Sequence, residues 1–233
     1  MLDSPEWMAV TAKASKLDPY VALVDICIRV PRLLERTDKL VEGDQEAANQ
    51  LIQDAVQLAD RAKKWFVDFE KYGPRYTRVD VAEVEGFLDL CNERTFDPVF
   101  SFFAFGAGIC YMIYWMSILI LQSNTFKLML KYRSLEPKDM FMWDRELGGY
   151  ADCICRSVPF NCRPSVGYVG RFGSLTPLVV AKKYFEAKKA TKEMSWCDKV
   201  YMSARIPGLY TTPIPMEPLK SMQRLVQNSD RYI

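Results

Sequence analysis

The feature that most constrains the fold is an uncharged run of 23 residues, VFSFFAFGAGICYMIYWMSILIL, at positions 99–121. By length and polarity alone, this run qualifies as a helix that crosses a membrane. The alternative is a central buried helix in an all-helical domain. Burial is favoured because the run is solitary, because Gly106 and Gly108 suit close helix packing, and because the remaining amphipathic segments need a core. We therefore predict an all-α, multi-helix bundle around a buried apolar helix at about 99–121.

Two helical patterns precede this run. Asp18 and Pro19 read as an N-cap followed by proline in the first turn, and apolar residues recur after them at helical spacing. Because Pro31 lacks a backbone N–H, we expect a kink or a break there. A longer helix opens at 43–44 and ends at the glycine–proline signal in 72–74. Its apolar stripe comprises Leu51, Ala55, Leu58, Ala62, Trp65 and Phe69.

The rest of the chain alternates between helices and connections. Residues 75–97 are mixed in character and predict loops, with a short helix around 81–91. The tract at 163–173 has three glycines and a proline and predicts a loop, and Pro177 is expected in the first turn of the helix that follows it. No stretch shows convincing strand alternation. Helices are expected at about 138–158, 174–190 and 191–204.

These patterns divide the chain into three parts. We predict an N-terminal extension at 1–17, a single all-helical domain at 18–205 and a proline-rich C-terminal tail at 206–233. The first ten residues lack the basic start and apolar run of a signal peptide. The seven cysteines are odd in number and form no spaced framework. Both observations predict free thiols in a reducing intracellular compartment.

The chain contains no histidine. This excludes Ser-His-Asp and Cys-His nucleophiles and most catalytic zinc sites, and we expect no metal and no cofactor. The net charge of +2 gives no general attraction to nucleic acid. A lysine-rich stretch at 182–192 also contains glutamates and is typical of a solvated helix face, so we expect no direct DNA binding.

The stretch YADCICRSVPF at 150–160 offers three interpretations: a metal site, a redox site or a packing helix. On a helix, Cys153 and Cys155 point about 200° apart, so they cannot clamp one metal unless the helix is broken. Asp152 and Arg156 are four residues apart, as in a weak helical ion pair. The packing helix is favoured. Arg156 is expected either to be an exposed partner of Asp152 or to turn its charge toward a pocket.

Two further regions are candidates for ligand binding. The glycine tract at 163–173 carries two arginines and would hold an anion through its backbone amides, although a plain interhelical turn is favoured. The aromatic residues of the apolar run are more often core than ligand site, but they would also suit an apolar pocket between helices. The candidate ligand-binding residues are Tyr111, Tyr114, Trp115, Tyr150 and Arg156.

Several motifs together resemble the C-terminal helical region of fungal zinc-cluster transcription factors. They are LVDICIRVPRLLERTDKL, YWMSILIL, YADCICRSVPF, GYVGRFGSLTPLVVAKKYF and KEMSWCDKVY, and they extend over roughly 18–205. The resemblance implies an all-α regulatory domain in a soluble protein, nuclear or cytoplasmic, and not in a membrane. Family members carry an N-terminal cluster of six cysteines that binds DNA. Here only Cys27 precedes Cys91, so that module is missing.

The resemblance leads to two hypotheses for function. The first is a non-enzymatic regulatory domain that binds a small apolar metabolite, a protein partner or a second copy of itself. The second is a free-standing enzyme of secondary metabolism, of the pericyclase, cyclase or isomerase type, which would hold its substrate in an aromatic pocket without metal or histidine.

Overall fold

The structure is a computed structural model, and it describes residues 18–72 and 76–204. The predicted extension at 1–17 and tail at 206–233 lie outside the described residues. The chain begins with α1 (Pro19–Cys27) and α2 (Val30–Asp38). The Asp18 carboxylate accepts a hydrogen bond from the Tyr20 amide at 2.8 Å, as expected of an N-cap. The break predicted from Pro31 is confirmed, because this proline is the second residue of α2.

The long helix α3 (Gln45–Tyr72) follows, and its predicted stripe is confirmed for the most part. Residues from Leu51 to Trp65 in that stripe are buried, while Phe69 is half-buried at the end of the helix. Trp65 also donates from Nε1 to the carbonyl of Pro19 at 2.7 Å, which ties the end of α3 to the start of α1.

The prediction of no strands was wrong. A two-stranded antiparallel sheet joins β1 (Tyr76–Val79) to β2 (Val99–Phe102), with Tyr76 opposite Phe102. A short 3-10 helix (Val81–Glu83) and α4 (Phe87–Leu90) lie between them. Strands of four residues are too short to show alternation, and β2 is hidden in the first residues of the apolar run.

The central apolar helix is confirmed as α5 (Phe105–Tyr132), which begins later and ends later than predicted. It contacts α1, α2, α3, α6 and α7, the last two defined below. By length and composition α5 qualifies as a membrane-spanning helix, and 61% of its most apolar 18-residue window is buried within the protein. A core helix of a soluble protein meets the same criterion, and the all-α bundle packs around it.

The glycine tract at 163–173 was wrongly predicted to be a loop. Helix α6 (Pro137–Asn161) is followed by a 3-10 turn (Pro164–Val166) and then by α7 (Gly167–Ala187), which contains most of the tract. A Cβ atom at Gly170 would lie 2.1 Å from the carbonyl oxygen of Asn161, so this glycine allows α7 to pack against the end of α6.

The predicted position of Pro177 within its helix was also wrong. It is buried in the middle of α7 rather than in a first turn. The last described helix, α8 (Thr191–Ala204), begins and ends as predicted. Buried residues of the longer helices and of β2 form one hydrophobic cluster, and the half-buried Tyr76 and Val79 of β1 pack against it.

Candidate functional site

Three of the five candidate ligand residues, Tyr111, Tyr114 and Trp115, are buried on α5 and contact other aromatic rings. They are 0%, 3% and 2% exposed, respectively. The Tyr114 ring stacks on Phe66 with centroids 4.3 Å apart. Tyr111 packs edge-on to Tyr76 at 5.2 Å, so the sheet closes over this side of α5. Among the described residues, these three also contact the rings of Trp65, Phe69, Phe100, Phe102 and Tyr150.

A void lies beside Tyr114, between α1 and α5. Its volume is about 10 Å³, which is the lower limit for one water molecule. The lining is apolar apart from Cys27 and Ser117. This arrangement of the core has no room there for an apolar metabolite.

Tyr114 and Tyr150 do meet, as part of a polar network at the edge of the core. Their rings are 6.3 Å apart and perpendicular. The Tyr150 hydroxyl donates to Glu146 at 2.7 Å, and Lys63 on α3 lies 2.7 Å from the same carboxylate. Gln122 is also within the network, where its Oε1 atom is buried without a hydrogen-bond partner among the described residues.

The shifted pKa values in this network keep the two tyrosines protonated and the carboxyl group of Glu146 ionised. Burial raises the pKa of Tyr114 and of Tyr150, so both hydroxyls stay protonated. Burial also raises the pKa of Glu146, but hydrogen bonds from Lys63 and Tyr150 outweigh it and hold that pKa below its ordinary value. The network therefore joins α3, α5 and α6 through an ionised carboxylate.

Arg156 lies apart from the aromatic residues. It forms the predicted ion pair with Asp152, at 2.5 Å, but it is not simply an exposed partner. Its guanidinium also donates to the carbonyls of Phe96, at 3.1 Å, and of Pro98. Only 20% of its side chain is exposed. Arg156 therefore anchors the segment before β2 to α6.

The cysteines of YADCICRSVPF belong to an unbroken helix, as the packing interpretation requires. Cys155 is fully buried, and its sulfur lies 3.8 Å from that of Cys197 on α8. Burial and the hydrogen bond with Cys197 raise the pKa of Cys155, and burial raises the pKa of Cys153 to about 12. Across residues 18–72 and 76–204, no three Cys, Asp or Glu side chains are grouped to hold a metal ion.

The lysine-rich stretch at 182–192 lies largely in intramolecular ion pairs. Lys182 pairs with Asp198 at 2.5 Å, Lys183 with Glu186 at 2.6 Å, and Lys188 with Asp144 at 2.5 Å. The first and third of these pairs join the end of α7 to α8 and α6, and the second lies within α7. They are consistent with a solvated helix face, and the absence of DNA binding stays a prediction.

An open depression of about 520 Å³ lies between α4 and α8. Leu88, Cys91 and Met202 contribute apolar lining, and Lys199 at its border pairs with Glu93. Burial raises the pKa of Cys91, which makes its thiol a poor nucleophile. This depression therefore offers a surface for contact with another molecule, but its cysteine is not activated as a nucleophile.

The most distinctive surface feature is one that the sequence did not reveal. We call it the α5–α7 seam: an exposed or half-exposed strip along two neighbouring helices. A Cβ atom at Gly173 would lie 3.4 Å from Cδ1 of Ile109, so the two helices touch there. Val169 is 50% exposed and Phe172 is 54% exposed. The seam comprises Phe105, Gly106, Ile109 and Ile113 on α5, and Val169, Phe172, Gly173 and Thr176 on α7.

The seam begins where both helices begin. The first turns of α5 and α7 meet over Asn161, because Cβ atoms at Gly108 and at Gly170 would both lie close to it. Phe103, two residues before α5, is 88% exposed, and Tyr168 in the first turn of α7 is 59% exposed. Clustered exposed apolar groups on a soluble surface commonly mark an interaction site.

Comparison with known proteins assigns the chain to no family and gives it no function. No family model, no curated protein and no solved structure matches the chain.

Proposed function

We propose that this chain is a non-enzymatic regulatory domain that binds a protein partner, as its resemblance to the C-terminal helical region of fungal zinc-cluster transcription factors implies. The observation that supports this proposal is the α5–α7 seam, where apolar residues such as Val169 and Phe172 are half exposed. Such a domain would act inside the cell, in the nucleus or the cytoplasm.

The interior supports the same choice over the two small-molecule alternatives. A metabolite-binding domain and a pericyclase-type enzyme would both need space at the aromatic residues of α5. Tyr111 and Trp115 instead contact other rings, and the void beside Tyr114 is about 10 Å³. The seam offers a surface for binding a partner that requires no rearrangement of the core.

A pair of matched substitutions tests this proposal. Val169 lies in the seam and is 50% exposed, while Val67 on α3 is 62% exposed and lies outside it. Val169→Glu should disrupt an apolar interface, because it places a charge in it, and Val67→Glu should not. The measurement is the apparent size of the tagged protein in extracts of the cells that naturally express it, by size-exclusion chromatography.

We expect the wild-type protein and Val67→Glu to elute in a larger complex and Val169→Glu to shift toward the monomer. Circular dichroism of the purified variants controls for folding. Elution of the wild type as a monomer, or an unchanged complex in Val169→Glu, would contradict the proposal.

A further inference from the structure

The chemistry of the α5–α7 seam indicates what kind of partner fits it. We propose that the seam binds an acidic amphipathic helix, with the apolar face of that helix along the seam and its carboxylates toward the surrounding positive charge. This inference rests on the proposed function, since it names the partner class for the same surface.

The shape of the seam suits a helix. Gly106 and Gly173 are both exposed, and a Cβ atom at Gly106 would meet no other atom within 4 Å. Without side chains at these two positions, another backbone can approach α5 and α7 closely. Apolar side chains above and below the glycines, among them Ile109 and Val169, then provide contacts at helical spacing.

The charge of the two helices favours an acidic partner. α5 contains no acidic residue, and α7 contains only Glu186. Three of their basic residues, Lys131, Lys182 and Lys183, are already in ion pairs. Lys127 and Arg171 lie outside the ion pairs of the described residues. Lys127 follows Ile109 by 18 residues, which is five full helical turns, so it extends the same strip of α5. No carboxylate of the described residues lies within ion-pair distance of Lys127.

The other end of the seam is also positive. α5 and α7 start side by side, and neither N-terminus has a side-chain cap. The helix dipoles therefore leave partial positive charge beside Phe103 and Tyr168. An acidic helix finds complementary charge at both ends of the seam, whereas a basic helix would be repelled at both.

The test uses two labelled 18-residue probe peptides with the same leucine face. One carries glutamate at all other positions, and the second carries lysine there. We expect the full-length protein to bind the glutamate peptide at least tenfold more tightly than the lysine peptide, by fluorescence anisotropy. Because part of the attraction is electrostatic, this binding should weaken with added salt.

Two glycine variants locate the binding. Gly106→Leu fills the seam and should weaken binding of the glutamate peptide at least tenfold. Gly149→Leu is the matched control, because Gly149 is also exposed in a helix and its Cβ atom would also meet nothing within 4 Å. It lies on α6, outside the seam, and should leave binding unchanged.

Three outcomes would overturn the inference. The first is equal affinity for the two peptides or equal effects of the two glycine variants. The second is binding to phosphatidylserine vesicles in place of the peptide, which would make the seam a membrane-facing surface. The third is a dimer of the purified protein that Gly106→Leu dissociates, which would make a second copy the occupant. If Val169→Glu breaks the cellular complex while the glutamate peptide fails to bind, the partner class is wrong and the proposed function stands.

Discussion

Arg156 and Asp152 form an ion pair at 2.5 Å on one face of α6. The guanidinium of Arg156 also donates hydrogen bonds to the backbone carbonyls of Phe96 and Pro98. One side chain thus holds the segment that leads into β2. Arg156→Ala leaves these carbonyls without a donor and should lower the free energy of unfolding by about 2 kcal/mol. Urea denaturation measures this change.

The matched control for this prediction is Arg145→Ala. Arg145 is an exposed residue of the same helix and should change the free energy of unfolding by less than about 0.5 kcal/mol. An Arg156→Ala protein as stable as Arg145→Ala would show that Arg156 is an exposed charge without a structural role.

Glycine positions in α5 and α7 should respond to alanine in opposite ways. At Gly170, the added Cβ would lie 2.1 Å from the Asn161 carbonyl oxygen and 2.5 Å from Cγ1 of Val166, so Gly170→Ala should destabilise by about 3 kcal/mol. At Gly106, the Cβ meets nothing within 4 Å, so Gly106→Ala should be neutral or stabilise by up to about 1 kcal/mol. Thermal unfolding of both variants distinguishes these cases, and a tolerated Gly170→Ala would argue against the contact between α6 and α7.

The network around Glu146 should contribute to acid sensitivity. Its pKa is held below its ordinary value of 4.5 because hydrogen bonds from Lys63 and Tyr150 outweigh the effect of burial. A carboxyl with a lowered pKa stabilises the fold above its unfolded pKa, and this contribution is lost as the pH falls through the folded pKa. The stability difference between wild type and Glu146→Gln should therefore be largest near neutral pH and shrink below about pH 4.5. Denaturation at a series of pH values checks this, and a constant difference would contradict it.

The buried thiols should react slowly in the folded protein. Burial raises the pKa of Cys110 to about 11 and the pKa of Cys162 to about 12, and the thiolate is the reactive form. At pH 8, a thiol reagent should therefore modify the native protein slowly and all seven cysteines rapidly in denaturant. Rapid native labelling of Cys155 would contradict the packing of α6 against α8.

The helical class followed from periodicity and the central apolar helix from the length of an uncharged run, whereas neither pattern predicted the tertiary contacts. Gly170 reads as a loop signal in sequence, but in the structure its missing side chain allows α7 to pack on Asn161. The four residues of β2 are apolar like the helix after them, so only their pairing with β1 distinguishes the two. Long-range pairing of this kind is not encoded in a local pattern.

The candidate site was predictable only in part. Tyr114 and Tyr150 were selected as polar-tipped rings and do form one network, but Arg156 lies elsewhere. The seam was missed because α5 is apolar on every side, so its sequence does not indicate which side faces solvent. Apolar residues at 105, 109 and 113, at helical spacing with exposed Phe103 before them, are the signal that remained in the sequence.

The central claim is that the α5–α7 seam is the surface through which this domain binds its partner. Its most direct test is photo-crosslinking in the native cells, with a benzophenone amino acid placed at Val169 in one protein and at Val67 in another. We predict a discrete crosslinked product from position 169 and none from position 67. Products from both positions, or from neither, would contradict the claim.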